Sequence, residues 1–307
     1  MLFLVMTQQK QYRKNIFAAV VSIGTAFFLG ITKATVGFWS GSLSILASAL
    51  DSLLDAMVSV INFFTIRAAS KPPDEDHRYG HGKFEAFAEL FQGLLIGGSG
   101  VFLVVESAKR FFTPLEMEIG WAAFLVMIVS FCVTIVLVFF LRRTAKETGS
   151  VVIKADSEHY LADIFSSASV IGGLLIMHFT GLSVIDALLS LAISVLILHS
   201  SAELLYESYQ ILTDHALPIE TRKKIESILS AAEKPVTGWH LLRTRRSGTQ
   251  VHIDYHLVLS ESISLRSAHD AVEKVEDAIR AAIPHAVVLT HMDPKDDSKK
   301  NKEDMMM

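Results

Sequence analysis

Six stretches in the first 213 residues are long and apolar enough to leave the chain few choices of fold. They fall near 15–38, 42–66, 86–111, 119–141, 152–178 and 183–207. About 20 such residues carry a helix across a ~30 Å hydrocarbon core. Lipid offers the backbone no hydrogen bonds, so runs of this length predict helices rather than open strands. The expected fold is a membrane all-α bundle of six transmembrane helices followed by a soluble tail. Composition agrees, with 51% of residues hydrophobic and 20% charged. Charge is also split unevenly: 31 Asp, Glu, Lys and Arg lie in residues 1–213 and 29 in the remaining 94. The opening "MLFLV" is too short for a signal peptide and shows no cleavage signature, so the first span is expected to stay uncleaved.

An even number of spans puts both termini on one side, and basic loops choose the side. Lys10, Arg13 and Lys14, then Arg67, Lys71, Arg78 and Lys83, then Arg142, Arg143, Lys146 and Lys154 share one face of the membrane. Only Lys109 and Arg110 lie opposite. Both termini are therefore expected in the cytoplasm, with the protein in the inner (plasma) membrane. The net charge of -4 comes without a basic patch interleaved with aromatics, so nucleic acid is not an expected partner. Cys132 is the only cysteine and excludes an intrachain disulfide or a multi-cysteine metal site.

The tail changes period. "PIETRKKIESILSAA" begins a helix at Pro218, and "WHLLRTRRSGTQVHIDYHLVLS" reads as two strands turning at Ser247 and Gly248. "SLRSAHDAVEKVEDAIRAAI" is an amphipathic helix capped by Ser264, and "HAVVLTHM" closes as a strand. This order, αββαβ, predicts a small two-layer α+β domain. The expected boundaries are 1–213 for the transmembrane domain, 214–294 for the cytoplasmic domain and 295–307 for a disordered charged tail.

Against this background the second span is anomalous, because "SILASALDSLLDAMVSVINFF" carries Asp51 and Asp55. A carboxylate at the bilayer centre costs about 2.5–3.5 kcal/mol on insertion scales, so two on one helix need compensation. Spacing i, i+4 puts them on one face, where they can share a cation. The fifth span offers a second such pair in "ADSEHYLADIFSS": His159 and Asp163. Two such helices side by side present three carboxylates and one imidazole, a tetrahedral donor set for zinc or another first-row divalent ion. Each acid taken alone also fits a helix end facing water or an arginine.

Two further clusters stand out. In the loop "PPDEDHRYGHGK", Asp74, His77 and His81 can clip an ion because Gly80 and Gly82 let the segment fold back; the same residues also fit a solvated loop. The tail gathers His240, His256, His269, His291 and Asp293 from two strands, a helix and the closing strand. Alternation puts His252, Asp254 and His256 on one face of their strand, which reads equally as a solvated face.

The runs "LASALDSLLD", "DHRYGHGK", "ADSEHYLADIFSS" and "HLLRTR…H…AH…HMDP" resemble the cation diffusion facilitator family, in particular its bacterial zinc and ferrous-iron efflux type, over roughly residues 12–294. The resemblance implies a homodimeric divalent-metal/proton antiporter in the lipid bilayer, not an enzyme. Its cytoplasmic domain would be metallochaperone-like, of the ferredoxin-like α+β class. It implies a transport site of Asp51, Asp55, His159 and Asp163 and a loop site of Asp74, His77 and His81. It further implies a cytoplasmic binuclear site of His240, His256, His269, His291 and Asp293, and a dimer charge interlock of Lys83 and Asp214. His252 and Asp254 depart from the family pattern, which leaves the ion count of the cytoplasmic site open.

The implied cargo is Zn²⁺, with Fe²⁺ and Cd²⁺ also expected, and protons as counter-ion. A Mn²⁺/Fe²⁺-preferring exporter is the alternative. The motif contexts of an intramembrane aspartyl protease or an alcohol phosphatidyltransferase are absent. A passive cation channel is disfavoured because a closed four-ligand site holds an ion too tightly for conduction.

Overall fold

The computed structural model describes residues 2–41, 43–112, 121–180 and 184–295. Among these described residues are six long helices, α1 (Leu2–Ser40), α2 (Leu43–Ala69), α3 (Phe84–Phe112), α4 (Trp121–Thr148), α5 (Val151–Thr180) and α6 (Val184–Leu212). After them come α7 (Ile219–Ser230), β1 (Val236–Ser247), β2 (Gln250–Leu259), α8 (Leu265–Ala282) and β3 (Ala286–Pro294). The chain divides into two compact units, Met1–Tyr209 and Gln210–Met307. The tail beyond 295, expected to be disordered, lies outside the described residues.

Among the described residues five helices are long and apolar enough to cross a membrane: Gln11–Ser40, Ser48–Ala69, Phe84–Lys109, Phe124–Thr148 and Leu188–Leu212. The expected fifth span, 152–178, coincides with α5 and is not among the five. At 30 residues it has the length, about 45 Å at 1.5 Å per residue. What sets it apart is its first half, crowded with Lys154, Asp156, Glu158, His159 and Asp163. The side chains of 173–180 are outside the described residues.

Polarity in this unit is inverted relative to a water-soluble bundle. Phe28, Phe38, Phe102, Val136 and Phe139 are exposed, while Asn15, Ser22, Ser59, Asn62, Gln92 and Asp156 are buried. Such an exterior suits lipid, because hydrocarbon contacts cost an apolar side chain nothing. With no hydrophobic drive between the helices, they need close packing, and small residues supply it. A Cβ at Gly93 would stand 2.9 Å from Leu205, and one at Gly97 only 2.7 Å from Ser201 Oγ. The approach of α6 to α3 also lets Ser201 donate to the Gly93 carbonyl at 2.8 Å.

The second unit is a three-stranded sheet in the order β1-β2-β3 with α7 and α8 packed on it. The β1–β2 pair is an antiparallel hairpin, and β3 joins β2 in parallel after the α8 crossover. Ile225 and Leu229 of α7, Ile253, Tyr255 and Leu257 of β2, and Val272, Val275 and Ile279 of α8 form the core. Alternation along β2 thus sends 253, 255 and 257 inward and leaves the even-numbered residues for the other sheet face. Ser264 caps α8 as expected, its side chain accepting from the Ser267 N–H at 3.2 Å.

Candidate metal centres

Among the described residues, three groups of histidines and carboxylates lie close enough to grip one ion, each group's ligand atoms falling within 4.8 Å of one another: Asp55 with His159 and Asp163, Asp74 with His77 and His81, and His240 with His256 and Asp293.

The first group lies where α2 meets α5. The helical repeat stacks residues four apart on one face, so His159 and Asp163 of α5 sit one turn apart opposite Asp55. His159 Nε2 is 3.0 Å from Asp55 Oδ1. All three line a cavity of about 430 Å³ that also receives Lys33, Asp51, Ser52, Thr134 and Tyr160. Asp51, expected as the fourth ligand, lines the cavity but stands outside the tight trio, one turn along α2.

Lys33 was not anticipated by the sequence reading. Its Nζ donates to Ser52 Oγ at 2.8 Å, and Asp55, Asp163 and Asp51 are its charged neighbours. The signal was available, since a lysine inside the apolar run "GITKATVGFW" is costly unless it serves a site.

The loop group owes its shape to a tight turn. The Asp74 N–H donates to the His77 carbonyl at 3.3 Å, and the His77 N–H returns a bond to Asp74 Oδ1 at 2.7 Å. Gly80, at φ 82, then bends the chain in a left-handed conformation that a side chain would resist. The bend brings His81 Nε2 to 3.3 Å from Asp74 Oδ2, and His77 Nδ1 to 3.4 Å from Asp74 Oδ1. The backbone bond from His77 holds the Asp74 carboxyl below its ordinary pKa, and the neighbouring histidine rings act in the same direction. His81 is buried and stacks on Phe84, whereas His77 and Asp74 are open to solvent. A carboxylate kept ionised beside two imidazoles is ready to receive a cation.

In the tail, strand register does the assembling. His240 lies opposite His256 across the β1–β2 hairpin, and His256 lies beside His291 in the parallel β2–β3 pair. Adjacent strands sit about 4.8 Å apart, and the rings follow suit, with centroids 5.0 Å apart for His240–His256 and 4.5 Å for His256–His291. Asp293, two residues past His291 and thus on the same face of β3, is buried beneath the row. Its Oδ2 is 2.9 Å from His256 Nδ1 and 3.0 Å from His240 Nε2, and its Oδ1 is 3.0 Å from His291 Nε2. Burial acts to raise the Asp293 carboxyl. The His256 hydrogen bond and the charges of His256, His291 and His240 outweigh it and hold the group below its ordinary value.

A bulge between His240 and Arg243, with Leu241 at φ 53, interrupts the β1 ladder beside this site. Bulges of this kind re-aim side chains at functional sites. His269 is not brought into the row. It sits exposed on α8, one residue off the face that buries Ala268, Ala271, Val272 and Val275. His252 is buried four residues before His256, and neither it nor Asp254 joins the group. Asp214, at φ 55, has an ion-pair partner within its own unit, Arg245 Nη1 at 3.5 Å.

A trio of two carboxylates and an imidazole between α2 and α5, with further histidine–carboxylate groups on a loop and a sheet, offers donor sets of the kind that hold divalent metal. A family model for the cation efflux transmembrane domain matches residues 19–213, and one for the cation efflux protein cytoplasmic domain matches residues 217–295. The chain belongs to the cation efflux family, the cation diffusion facilitators, which is a family of transporters.

Among its relatives is the cation-efflux pump FieF of Shewanella oneidensis, 38% identical over 291 residues, or 94% of this chain and 97% of the relative. FieF of Cronobacter sakazakii is 37% identical over 277 residues, covering 90% and 92%. An Escherichia coli FieF is 36% identical over the same length and coverage.

Proposed function

We propose that this chain exports a divalent transition-metal ion, Zn²⁺ foremost and also Fe²⁺ or Cd²⁺, from the cytoplasm in exchange for protons. The observation that carries the reading is the convergence of Asp55, His159 and Asp163 in one cavity between membrane helices, with Asp51 one turn away. Mixed oxygen and nitrogen donors match borderline ions such as Zn²⁺ better than Mg²⁺ or Ca²⁺. The same donors bind metal only when deprotonated, so metal and protons compete for the cavity. Histidine, with an unperturbed pKa of about 6.5, lets this exchange run near neutral pH. A cavity that opens alternately to the two sides then converts a proton gradient into metal export. Asp51 completes the transport site once an ion draws the four groups together.

The loop group collects ions on the cytoplasmic side, where the basic loops and both termini lie. The row His240, His256, His291 with Asp293 holds ions in the cytoplasmic domain and favours a homodimer by mass action. His269 contributes from outside the row seen in one chain. Lys83 and Asp214 interlock at the dimer's membrane–cytoplasm junction, with Arg245 sharing Asp214. The transporting part is residues 1–213 and the metal-binding, dimer-forming part 214–294.

The test is a metal-resistance profile in an exporter-deficient bacterial host. The intact chain should restore growth in Zn²⁺, while Asp163→Asn and Asp55→Asn at equal membrane abundance should not. Protection by either variant at the level of the intact chain contradicts the site. Protection confined to Mn²⁺ contradicts the metal.

A further inference from the structure

One turn before His159, and wholly buried, Asp156 lies among hydrogen-bonding groups that the metal trio does not use. Its Oδ2 accepts from Ser22 Oγ of α1 at 2.7 Å and its Oδ1 from Asn62 Nδ2 of α2 at 2.9 Å. Asn62 in turn accepts from Gln92 of α3. Among the described residues, no lysine or arginine pairs with Asp156. Two neutral donors do not offset the cost of an ionised carboxylate in a membrane-buried core.

The Ser22 branch does not stop there. Ser59 Oγ donates to Ser22 Oγ at 3.2 Å, and Ser59 Oγ lies 3.1 Å from the Tyr160 hydroxyl. With the Ser59 and Ser22 protons already directed toward Asp156, the Tyr160 hydroxyl completes the series by donating to Ser59. Ser22, Ser59 and Tyr160 are all buried, but Tyr160 lines the cavity that holds Asp55, His159 and Asp163. Three hydroxyls thus join the metal cavity to a buried carboxylate, every donor oriented toward the carboxylate.

We propose that Asp156 is a proton-holding site of its own, joined to the metal cavity through Tyr160, Ser59 and Ser22, so that each metal exchange moves one proton beyond those carried by the metal ligands. This rests on the reading that the cavity exchanges metal for protons. The transfer balances without a co-reactant. A cavity proton binds the Tyr160 oxygen while the Tyr160 hydrogen passes to Ser59, that of Ser59 to Ser22 and that of Ser22 to Asp156. Each hydroxyl ends with one hydrogen, and Asp156 ends neutral. A divalent ion in the cavity favours the ionised carboxylate and runs the series backwards.

The ionisable groups near Asp156 are His159 and Tyr160 on its own helix and Asp55 on α2. α1 faces it with Ser22, and α3 with Gln92 through Asn62. Glu89 and Glu85 lie one and two turns farther along α3.

The test uses the full chain carrying His77→Ala and His240→Ala, so that Zn²⁺ binding reports the membrane cavity. Protons released per Zn²⁺ are counted by titration calorimetry in two buffers of different ionisation enthalpy. Asp156→Asn should release about one proton fewer per ion while Zn²⁺ affinity stays within about tenfold. An unchanged count overturns the proposal. So does a larger loss of affinity, which would make Asp156 a positioning residue for the ligands.

Should that variant not fold, Ser59→Ala leaves Asp156 and both its donors in place but removes the middle hydroxyl. Proton release in stopped flow should then slow by about tenfold or more at unchanged affinity, and an unslowed release overturns the proposal. Asp55→Asn separates the two readings. If Zn²⁺ binding survives that change intact, the cavity assignment fails, not the role of Asp156.

Discussion

The membrane unit and the tail bring histidines and carboxylates together by different physical means. In the membrane unit the candidate ligands come from α2 and α5, and each helix orders only its own members, Asp51 with Asp55 and His159 with Asp163. No backbone ladder joins the two helices, only side-chain bonds such as Asn62 to Asp156 and Ser59 to Tyr160, so a small slide or rotation can part Asp55 from His159 while leaving each pair intact. In the tail, backbone ladders lock β1, β2 and β3 in register, and His240, His256 and His291 stay in a row at strand spacing. The first arrangement suits an ion that must be let go. The second suits an ion that is kept.

Removing a ligand should therefore have unequal effects in the two units. The largest is expected for Asp163→Ala, which deletes a donor from the membrane trio: metal flux should fall by about 100-fold or more, since even outer groups of a metal site are worth 10–100-fold. The dimer should remain folded on size exclusion, because the change also removes an intramembrane charge. Flux near that of the intact chain would make the two units alike in dispensability and break the comparison.

A smaller effect is expected in the tail. His240→Ala combined with His291→Ala should abolish metal-dependent association of a 214–294 fragment in analytical ultracentrifugation. Flux through the full chain should fall only about two- to fivefold, as expected if an ion in the tail acts by mass action on the dimer and is not itself cargo. Equal association of the unaltered fragment in metal and in chelator would remove the bridging role.

Next comes the interlock. If Lys83 and Asp214 pair as proposed, Lys83→Glu or Asp214→Lys should loosen the dimer by roughly 1 kcal/mol, the upper end for an exposed pair, and the double reversal should recover part of it. Arg245, 3.5 Å from Asp214, makes the Asp214 variant the more damaging of the two. A double variant no better than the worse single one, in dimer dissociation measured by dilution, contradicts direct pairing.

The smallest effect concerns His285, which is not a candidate ligand. Burial pushes its pKa below the ordinary histidine value. The unfolded chain therefore takes up a proton that the folded tail resists, and tail stability drops as pH falls below about 6.5, levelling off once the folded-state pKa is passed. His285→Asn should flatten this slope in urea titrations between pH 7.5 and 5, and Asn tolerates the left-handed backbone at φ 61. An unchanged difference between the two pH values would show that the slope does not come from His285.

Much of this was legible before any coordinates, for stated reasons. Hydropathy located five of the six expected spans, because length and apolarity are what lipid demands of a crossing helix. Spacing i, i+4 revealed the Asp51/Asp55 and His159/Asp163 faces because helical geometry converts sequence distance directly into direction. The order αββαβ and the Ser264 cap followed from local period and turn chemistry. What sequence could not order was contact between elements. Asp156, Ser22, Asn62 and Gln92 come from four helices, and no local period links them. Asp51 and Asp55 look equivalent by spacing, yet only Asp55 meets His159, because helix rotation is decided by packing such as Gly30 against Leu53, where a Cβ would stand 3.0 Å away. His269 was grouped with the row by residue type, although the buried positions of α8 leave it off the inner face.

The central claim is that metal leaves through the Asp55, His159 and Asp163 cavity because protons replace it. Its most direct test is Zn²⁺ flux into proteoliposomes holding the intact chain, followed with a Zn²⁺-sensitive dye inside and driven by an imposed pH difference of either sign. The account predicts that Zn²⁺ moves opposite to protons, reverses when the pH difference is reversed, and drops to the leak of empty vesicles in Asp55→Asn. Flux that follows the Zn²⁺ gradient alone, indifferent to the direction of the pH difference, would contradict it and leave a passive conduit in its place.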